Sequence, residues 1–338
     1  MKHVAIAGAT GAVGQELLTL LAERNFPLKS LKLLASSRSA GKKIKFKGED
    51  IVVQELRHDS FEGVDLVLSS AGGSISKEYM PSAVNSGAVV VDNTSYFRMN
   101  PEVPLVVPEV NPQEIKKHKG IIANPNCSTI IMLLPLYPLY KAFGVERIHA
   151  TTYQAASGAG AVAMEELRLE CAALADGKTF NRTVIPHQYA FNLFPHNSPY
   201  NDGSKSGSTA PTGYCEEEWK MVAETHKIFC DEHLRVNATC VRVPVLRAHS
   251  EALNIRLSKK TNVAEIYEVL RSAPGVEIQE EPSKNRWPMP IDASGKDPVM
   301  VGRVRVDQSQ ENAFDLWVVG DQIRKGAALN AIQIAELL

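Results

Sequence analysis

Residues 3–24, HVAIAGATGAVGQELLTLLAER, constrain the fold more than any other stretch of the chain. Val4–Ala7 is a short apolar run suited to a strand buried on both faces. Leu17, Leu18, Leu20 and Leu21 then mark an amphipathic helix that ends near Asn25-Phe26-Pro27. Between the two lie Gly8, Gly11 and Gly14, a GxxGxxG spacing. Glycines in such a turn let the backbone come close to a pyrophosphate, whose charge is stabilised by N–H groups at the helix N-terminus. A bare glycine triplet says little; between a first strand and a first helix it predicts a dinucleotide site.

The second strand sharpens the cofactor. LKLLASSRSAGKK ends a strand at Ala35 and continues with Ser36, Ser37, Arg38 and Ser39. A site for NAD carries an Asp or Glu there for the ribose 2′-hydroxyl. Hydroxyls and a guanidinium suit a 2′-phosphate instead, which favours NADP(H). The alternative is a basic solvated loop, given Lys42, Lys43, Lys45 and Lys47. Further strands are predicted in VDLVLSSAGG (64–73) and GAVVVDNTSYFR (87–98). Strands alternating with helical segments imply a Rossmann-type doubly wound parallel sheet, whose ligands gather at the strands' carboxyl ends. Ser70, Gly72, Gly73, Asn93 and Arg98 all follow strand ends and so point at one crevice.

A chain of 338 residues has room for two domains. We expect an NADP-binding domain over 1–125, completed by about 316–338 with the C-terminal helix returning to it. A mixed α+β catalytic and dimerisation domain, richer in antiparallel pairing, is expected over 126–315. The stretch 196–214, HNSPYNDGSKSGSTAPTGY, predicts a long surface loop to which no function is attached. A net charge of −1 and a pI near 6.8 leave no electrostatic footprint for nucleic acid or an anionic membrane. Five cysteines without a CxxC pair argue against structural zinc and against a disulfide framework; no metal is expected. The longest apolar run, 130–140, is too short to span a bilayer. No leader is visible, so the expected location is the cytoplasm, or an organelle if a transit peptide has been removed.

For chemistry, Cys127 in NPNCSTI follows a Pro-Asn turn and opens a helical segment, where dipole and N–H groups stabilise a thiolate. Free cysteine is also among the most often buried residues, so these residues alone leave an inert role open. His249 in CVRVPVLRAHSE is the better of at most two histidine partners. It stands seven positions from Arg242; a regular strand would point the two to opposite faces, and a bend near Pro244 would be needed to join them. Glu217 and Lys220 share a helix face, as a substrate pair or as a solvated ion pair.

Taken together, GATGAVG, SYFR, VVPEVN, NPNCSTI, TYQAASGAG, EEWKM, CVRVPVLRAHSE and KGAALNAIQIAE resemble the aspartate-β-semialdehyde dehydrogenases, in that family's order along almost the whole chain. The resemblance implies NADPH-dependent reductive dephosphorylation of L-4-aspartyl phosphate to aspartate semialdehyde and phosphate, the branch point toward lysine, threonine and methionine. It implies Cys127 as the nucleophile that forms a thioester, His249 as acid/base and Gln154 as the residue placing substrate at the thiol. Asn126 lies beside the nucleophile. Arg242 matches the grip on the α-carboxylate and Glu217 the partner of the α-amine, while Arg98 and Lys220 match the phosphate-site cations. Gly8, Thr10, Gly11, Ala12, Val13, Gly14, Ser36, Arg38, Ser39, Ser70, Gly72, Ser157, Gly158 and Gln322 are the implied NADP contacts, although family members often carry Asn where Gln322 stands. A homodimer, or a tetramer, is implied. Related acyl-phosphate reductases, such as the N-acetylglutamyl-phosphate type, lack the Glu217/Lys220/Arg242 set. A silent NADP-binding paralogue would be expected to lose the thiol or the histidine, and a cysteine hydrolase would leave the dinucleotide turn unused.

Overall fold

The computed structural model describes residues 1–204 and 210–338, so the 205–209 part of the expected 196–214 loop lies outside the described residues. The chain divides into two compact units, Met1–Asn126 with Gly326–Leu338, and Cys127–Lys325. The expected return near 316 comes later, at Gly326, because residues 313–320 form a strand of the second unit.

Unit 1 contains β1 (Lys2–Ala7), α1 (Ala12–Glu23), β2 (Leu28–Ala35), β3 (Lys43–Phe46), β4 (Glu49–Glu55), β5 (Leu66–Ser69), α2 (Gly73–Asn85), β6 (Val89–Asp92) and β7 (Ile121–Ala123). The sheet order is β3-β4-β2-β1-β5-β6-β7, parallel except for the β3–β4 pair. Val4–Ala7 and Leu66–Leu68 are wholly buried, as continuous apolar runs in a doubly covered parallel sheet should be. The strand order reverses at β1, so the crevice of this fold opens where β1 and β5 end. The alternative of a basic solvated loop does not hold for residues 43–46. Lys43 and Lys45 belong to β3, their side chains alternating outward from Ile44 and Phe46, which pack on the core. Four residues with two apolar positions are too short a pattern to announce a strand.

Unit 2 contains α3 (Cys127–Phe143), β8 (Val145–Gln154), α4 (Ala161–Ala175), β9 (Phe194–Pro195), α5 (Glu216–Phe229), β10 (Arg235–Arg242), β11 (His249–Leu257), α6 (Val263–Arg271), β12 (Val276–Ile278), α7 (Pro290–Ala293), β13 (Val299–Val306) and β14 (Ala313–Gly320). Its sheet runs β12-β13-β14-β11-β8-β10-β9, with β8–β10 and β12–β13 parallel and the remaining pairs antiparallel. Helix α3 packs on this sheet, and its first turns, Ser128–Leu136, are buried on all sides and largely apolar. At Gly320 the approach is so close that an added Cβ would lie 2.9 Å from Ile131.

The C-terminal helix α8 (Leu329–Glu336) belongs to unit 1, where Leu329, Ile332 and Ile334 join the core that holds Leu17 and Leu21 of α1. Arg24 and Glu336 form a bidentate pair with both contacts at 2.7 Å. Asn330 donates to Asn124 Oδ1 at 2.7 Å and to the Val106 carbonyl. No helix among the described residues is long and apolar enough to cross a membrane.

Candidate active site

The glycine turn of unit 1 has two kinds of glycine. Gly8 adopts φ +88°, a region disfavoured for any side chain, and an added Cβ would lie 2.7 Å from the Ser70 carbonyl oxygen. A Cβ on Gly14 would lie 2.3 Å from the Gly8 oxygen, so the fold itself demands glycine there. Gly11 is different: it is exposed, has φ −80° as the N-cap of α1, and its Cβ would meet only the Gly8 oxygen at 3.4 Å. Thr10 is also exposed; Ala12 and Val13 are half-buried in the first turn of the helix. No side chain caps α1, nor α2, whose N-cap is Gly72 at φ +98°. Two helix N-termini thus present N–H groups beside the ends of β1 and β5, with Ser70 between. Ser36 leads into a single 3₁₀ turn, Ser37–Ser39, on which Arg38 is exposed, and Thr10 Oγ1 lies 3.5 Å from Ser39 Oγ. These residues fit a dinucleotide: a cradle that side chains would fill and donors for a pyrophosphate, with a cation and hydroxyls after β2 where a carboxylate could stand. Arg98 is buried, its Nε donating to the Asn124 carbonyl (2.9 Å) and Nη2 to the Asn93 carbonyl (2.8 Å). Asn126 is buried at the last position of unit 1.

In unit 2, sheet register explains what residue spacing did not. Arg242 ends β10 and His249 begins β11, so the two stand on different strands and the odd interval between them has no bearing on their faces. β8 runs between. Gln154 pairs with Arg242 in the parallel ladder, and Thr152 pairs with Cys240 there and with Glu251 in the antiparallel one. Partners share a face and residues two apart share a face, so Arg242, Gln154 and His249 stand side by side at one end of three adjacent strands.

The peptide of Ala155, one residue beyond β8, serves both neighbours. Its N–H donates to His249 Nδ1 (3.0 Å) and its carbonyl accepts from Arg242 Nη1 (3.2 Å). With Nδ1 accepting, the ring proton of His249 resides on Nε2, which is buried and has no partner among the described residues. Burial, reinforced by the Arg242 charge, pushes the His249 pKa down to about 3, so the ring is a neutral N–H donor. A Cβ on Gly158 would lie 3.1 Å from Arg242 Nη1 and from His249 Nε2, which puts the edge of that glycine against both.

Cys127 is the first residue of α3, a half-buried thiol at a helix N-terminus. Gln154 ties this turn to the sheet, its Nε2 donating to Ser128 Oγ (3.0 Å), with Thr152 Oγ1 at 3.3 Å and Glu217 Oε1 at 3.4 Å. Glu217 is buried in the first turn of α5 and meets Lys220 Nζ at 3.3 Å. Ser157 and Gln322 hydrogen-bond one another, and Gln322 also accepts from the Ala248 N–H at 2.9 Å. Of the other cysteines, Cys215 caps α5 jointly with Glu218, and burial raises the pKa of Cys171, Cys215 and Cys240.

Several residues here had no signal in the sequence. Ala155 acts through its backbone. Tyr189 donates its hydroxyl to the Gln154 carbonyl (3.2 Å) and is itself held by Glu170, which accepts the Tyr189 and Ala190 N–H groups. From the loop to which no function was attached, Asn197 Oδ1 accepts from Arg242 Nε (3.2 Å) and Ser198 Oγ accepts the Glu217 N–H (3.1 Å).

Similarity to known proteins points to one family. The family model for the semialdehyde dehydrogenase NAD-binding domain matches residues 3–118, and that for the semialdehyde dehydrogenase dimerisation domain matches residues 136–325. The aspartate-semialdehyde dehydrogenase of Synechocystis sp. is 56% identical over 99% of this chain and 97% of its own. The crystal structure of aspartate semialdehyde dehydrogenase II from Vibrio cholerae, complexed with ASA, is 45% identical. It covers 100% of this chain and 98% of its own, with a TM-score of 0.94. A Candida albicans aspartate semialdehyde dehydrogenase solved with NADP is 28% identical over 100% of this chain and 98% of its own, with a TM-score of 0.74.

Proposed function

This chain belongs to the aspartate-semialdehyde dehydrogenase family, and we propose that it reduces L-4-aspartyl phosphate to L-aspartate 4-semialdehyde with release of phosphate, through a thioester on Cys127. Such a step would serve the biosynthesis of lysine, threonine and methionine. The observation that carries the reading is the shared face on which Arg242, Gln154 and His249 stand at the ends of adjacent strands, tied through Ser128 to the helix that begins with Cys127.

The thiolate of Cys127 attacks the acyl carbon, the C–O bond to phosphate breaks, and phosphate leaves with that electron pair. Gln154 holds the substrate at the thiol. Arg242 grips the α-carboxylate, Glu217 receives the α-ammonium, and Lys220 with Arg98 neutralises the phosphate. A bound reduced nicotinamide supplies the hydride that takes the acyl group to the aldehyde level. His249 points Nε2–H at the oxygen that becomes negative in the hemithioacetal, and the carbon–sulfur bond then breaks to return the thiolate. The turn Gly8–Gly14 with Ser70 and Gly72 would hold the dinucleotide, and Ser36, Arg38 and Ser39 its 2′-phosphate. Ser157, Gly158 and Gln322 are further residues that we propose contact the dinucleotide. The match of residues 136–325 to a dimerisation domain supports an oligomer, for which we propose a homodimer.

The test is NADP⁺ reduction with aspartate semialdehyde, with and without phosphate, repeated with NAD⁺. Phosphate-dependent turnover with preference for NADP⁺ is expected, and Cys127→Ala should abolish it while NADP⁺ binding persists. Turnover that ignores phosphate, or survives in Cys127→Ala, would remove the acyl-phosphate mechanism.

A further inference from the structure

We propose that His196 is a substrate-positioning residue, donating a hydrogen bond from Nε2 to the carboxylate that Arg242 grips. The inference deepens the function proposed above and rests on it.

His196 follows β9, and its N–H donates to the Cys240 carbonyl at 2.9 Å. With Val241 opposite Pro195 and Arg242 opposite Phe194, the register brings His196 opposite Cys240. That residue lies two before Arg242, on the face that carries Arg242 and Gln154. The ring therefore extends the catalytic face by one strand.

Its ring nitrogens are already assigned by their surroundings. Nδ1 accepts the Ser198 N–H at 3.1 Å, so the proton of the neutral ring is on Nε2. Nε2 is buried and has no hydrogen-bond partner among the described residues. The groups that bear on the ring are Arg242, Glu217 and Lys220, the same three that surround the proposed amino-acid substrate. Burial and the two cations lower its pKa to about 4, so it stays neutral at working pH. A neutral ring with its acceptor nitrogen occupied can only donate, and a buried donor beside two cations and one carboxylate is completed by an acceptor oxygen, which the carboxylate held by Arg242 would supply. The amine of the substrate cannot fill that role, since it too only donates.

The neighbouring residues hold the ring in place. Asn197 accepts from Arg242 and Ser198 accepts from the Glu217 backbone, so three consecutive residues bind the elements that would grip the two ends of the amino acid. Nδ1 serves the strap through the Ser198 N–H; the unpartnered Nε2 is what asks for a ligand.

The experiment measures KM for aspartate semialdehyde, phosphate and NADP⁺ in His196→Phe and His196→Gln. Loss of a hydrogen bond to a charged group should raise KM for the semialdehyde about tenfold or more in His196→Phe. The phosphate and NADP⁺ constants should change far less, and kcat should fall less than KM rises. His196→Gln, which keeps a donor, should recover part of the loss. An unchanged semialdehyde KM in His196→Phe overturns the proposal, and so does a rise confined to phosphate. If His196→Phe melts early, the histidine ¹⁵N spectrum of the unaltered protein decides. Addition of L-aspartate should move the His196 Nε2 signal, and an unmoved signal refutes the contact. Failure of the unaltered protein to turn over the semialdehyde would instead defeat the family chemistry, which separates the two outcomes.

Discussion

Gly11 and Gly14 separate a glycine needed by the fold from one needed by a ligand. In Gly14→Ala the new Cβ would sit 2.3 Å from the Gly8 oxygen and 2.8 Å from the Ala9 Cα, all backbone atoms that cannot swing aside. The nearest ordinary approach is about an ångström longer, so the turn must open, and overpacking of this kind costs about 1–3 kcal/mol. On a domain of this size that lowers Tm by several degrees, at about 2–4 °C per kcal/mol. In Gly11→Ala the Cβ meets the Gly8 oxygen at 3.4 Å, the φ of −80° suits alanine, and the position is exposed. A weaker N-cap is offset by a less flexible unfolded chain, so the net change should stay within about 0.5 kcal/mol. The added methyl nevertheless occupies the space where a pyrophosphate would approach the first N–H groups of α1. Thermal melts and NADP⁺ titration by fluorescence check both. Gly14→Ala should lose stability; Gly11→Ala should keep Tm and lose affinity tenfold or more. A Gly11→Ala protein that binds NADP⁺ normally would refute the claim that this turn cradles the phosphates.

Two further predictions concern buried titratable groups. His249 in the unfolded chain takes a proton near pH 6.5 but resists it in the fold until about 3, so the stability it contributes is complete above 6.5 and is lost as pH falls toward 3. The slope is about 1 kcal/mol per pH unit, and denaturant melts at pH 7 and pH 5 should show a smaller difference in His249→Asn than in the unaltered protein. Glu251 lies wholly buried on the same face, both carboxylate oxygens without a partner among the described residues, and burial raises its pKa well above the usual value. The sign is then opposite: the stability linked to its proton is complete below about pH 4.5 and is lost as pH rises through the folded pKa. Glu251→Gln should therefore be the more stable protein at pH 9 and lose that advantage at pH 5; equal melts at both values would show the carboxyl to be ionised in the fold.

The first unit was legible because its signal is local. A buried strand, a glycine turn and a helix occupy consecutive residues, and the ends of β1 and β2 lie where apolar runs stop. The β3–β4 hairpin was not, since its four- and seven-residue strands carry lysines and carboxylates that read as loop. In the second unit the candidate residues could be named by resemblance, but their arrangement could not be reached from intervals along the chain. Parity between Arg242 and His249 has meaning only on one strand, and the short segment 243–248 carries the chain past β8 from one to the other. Ala248 takes φ +72° at its end, a turn that alanine's sequence neighbours do not announce. Contacts made by the Ala155 peptide, by Tyr189 and by Asn197 belong to tertiary register, which no single-sequence pattern contains.

Neutrality of the two histidines decides what the site can bind. Each ring has Nδ1 occupied by a peptide N–H, from Ala155 at His249 and from Ser198 at His196. Protonation would set an N–H against that N–H in a buried position, so the geometry and the depressed pKa values have one cause. The formal charges bearing on the rings then come to two cations, Arg242 and Lys220, against one carboxylate, Glu217. Under the proposed function, such a pocket would suit a substrate that carries a carboxylate, an ammonium and a phosphate. Two imidazolium ions would have added charge that favours any anion alike. Backbone donors placed on Nδ1 would thus let the histidines supply directed hydrogen bonds while charged groups such as Arg242, Lys220 and Glu217 set the electrostatic preference.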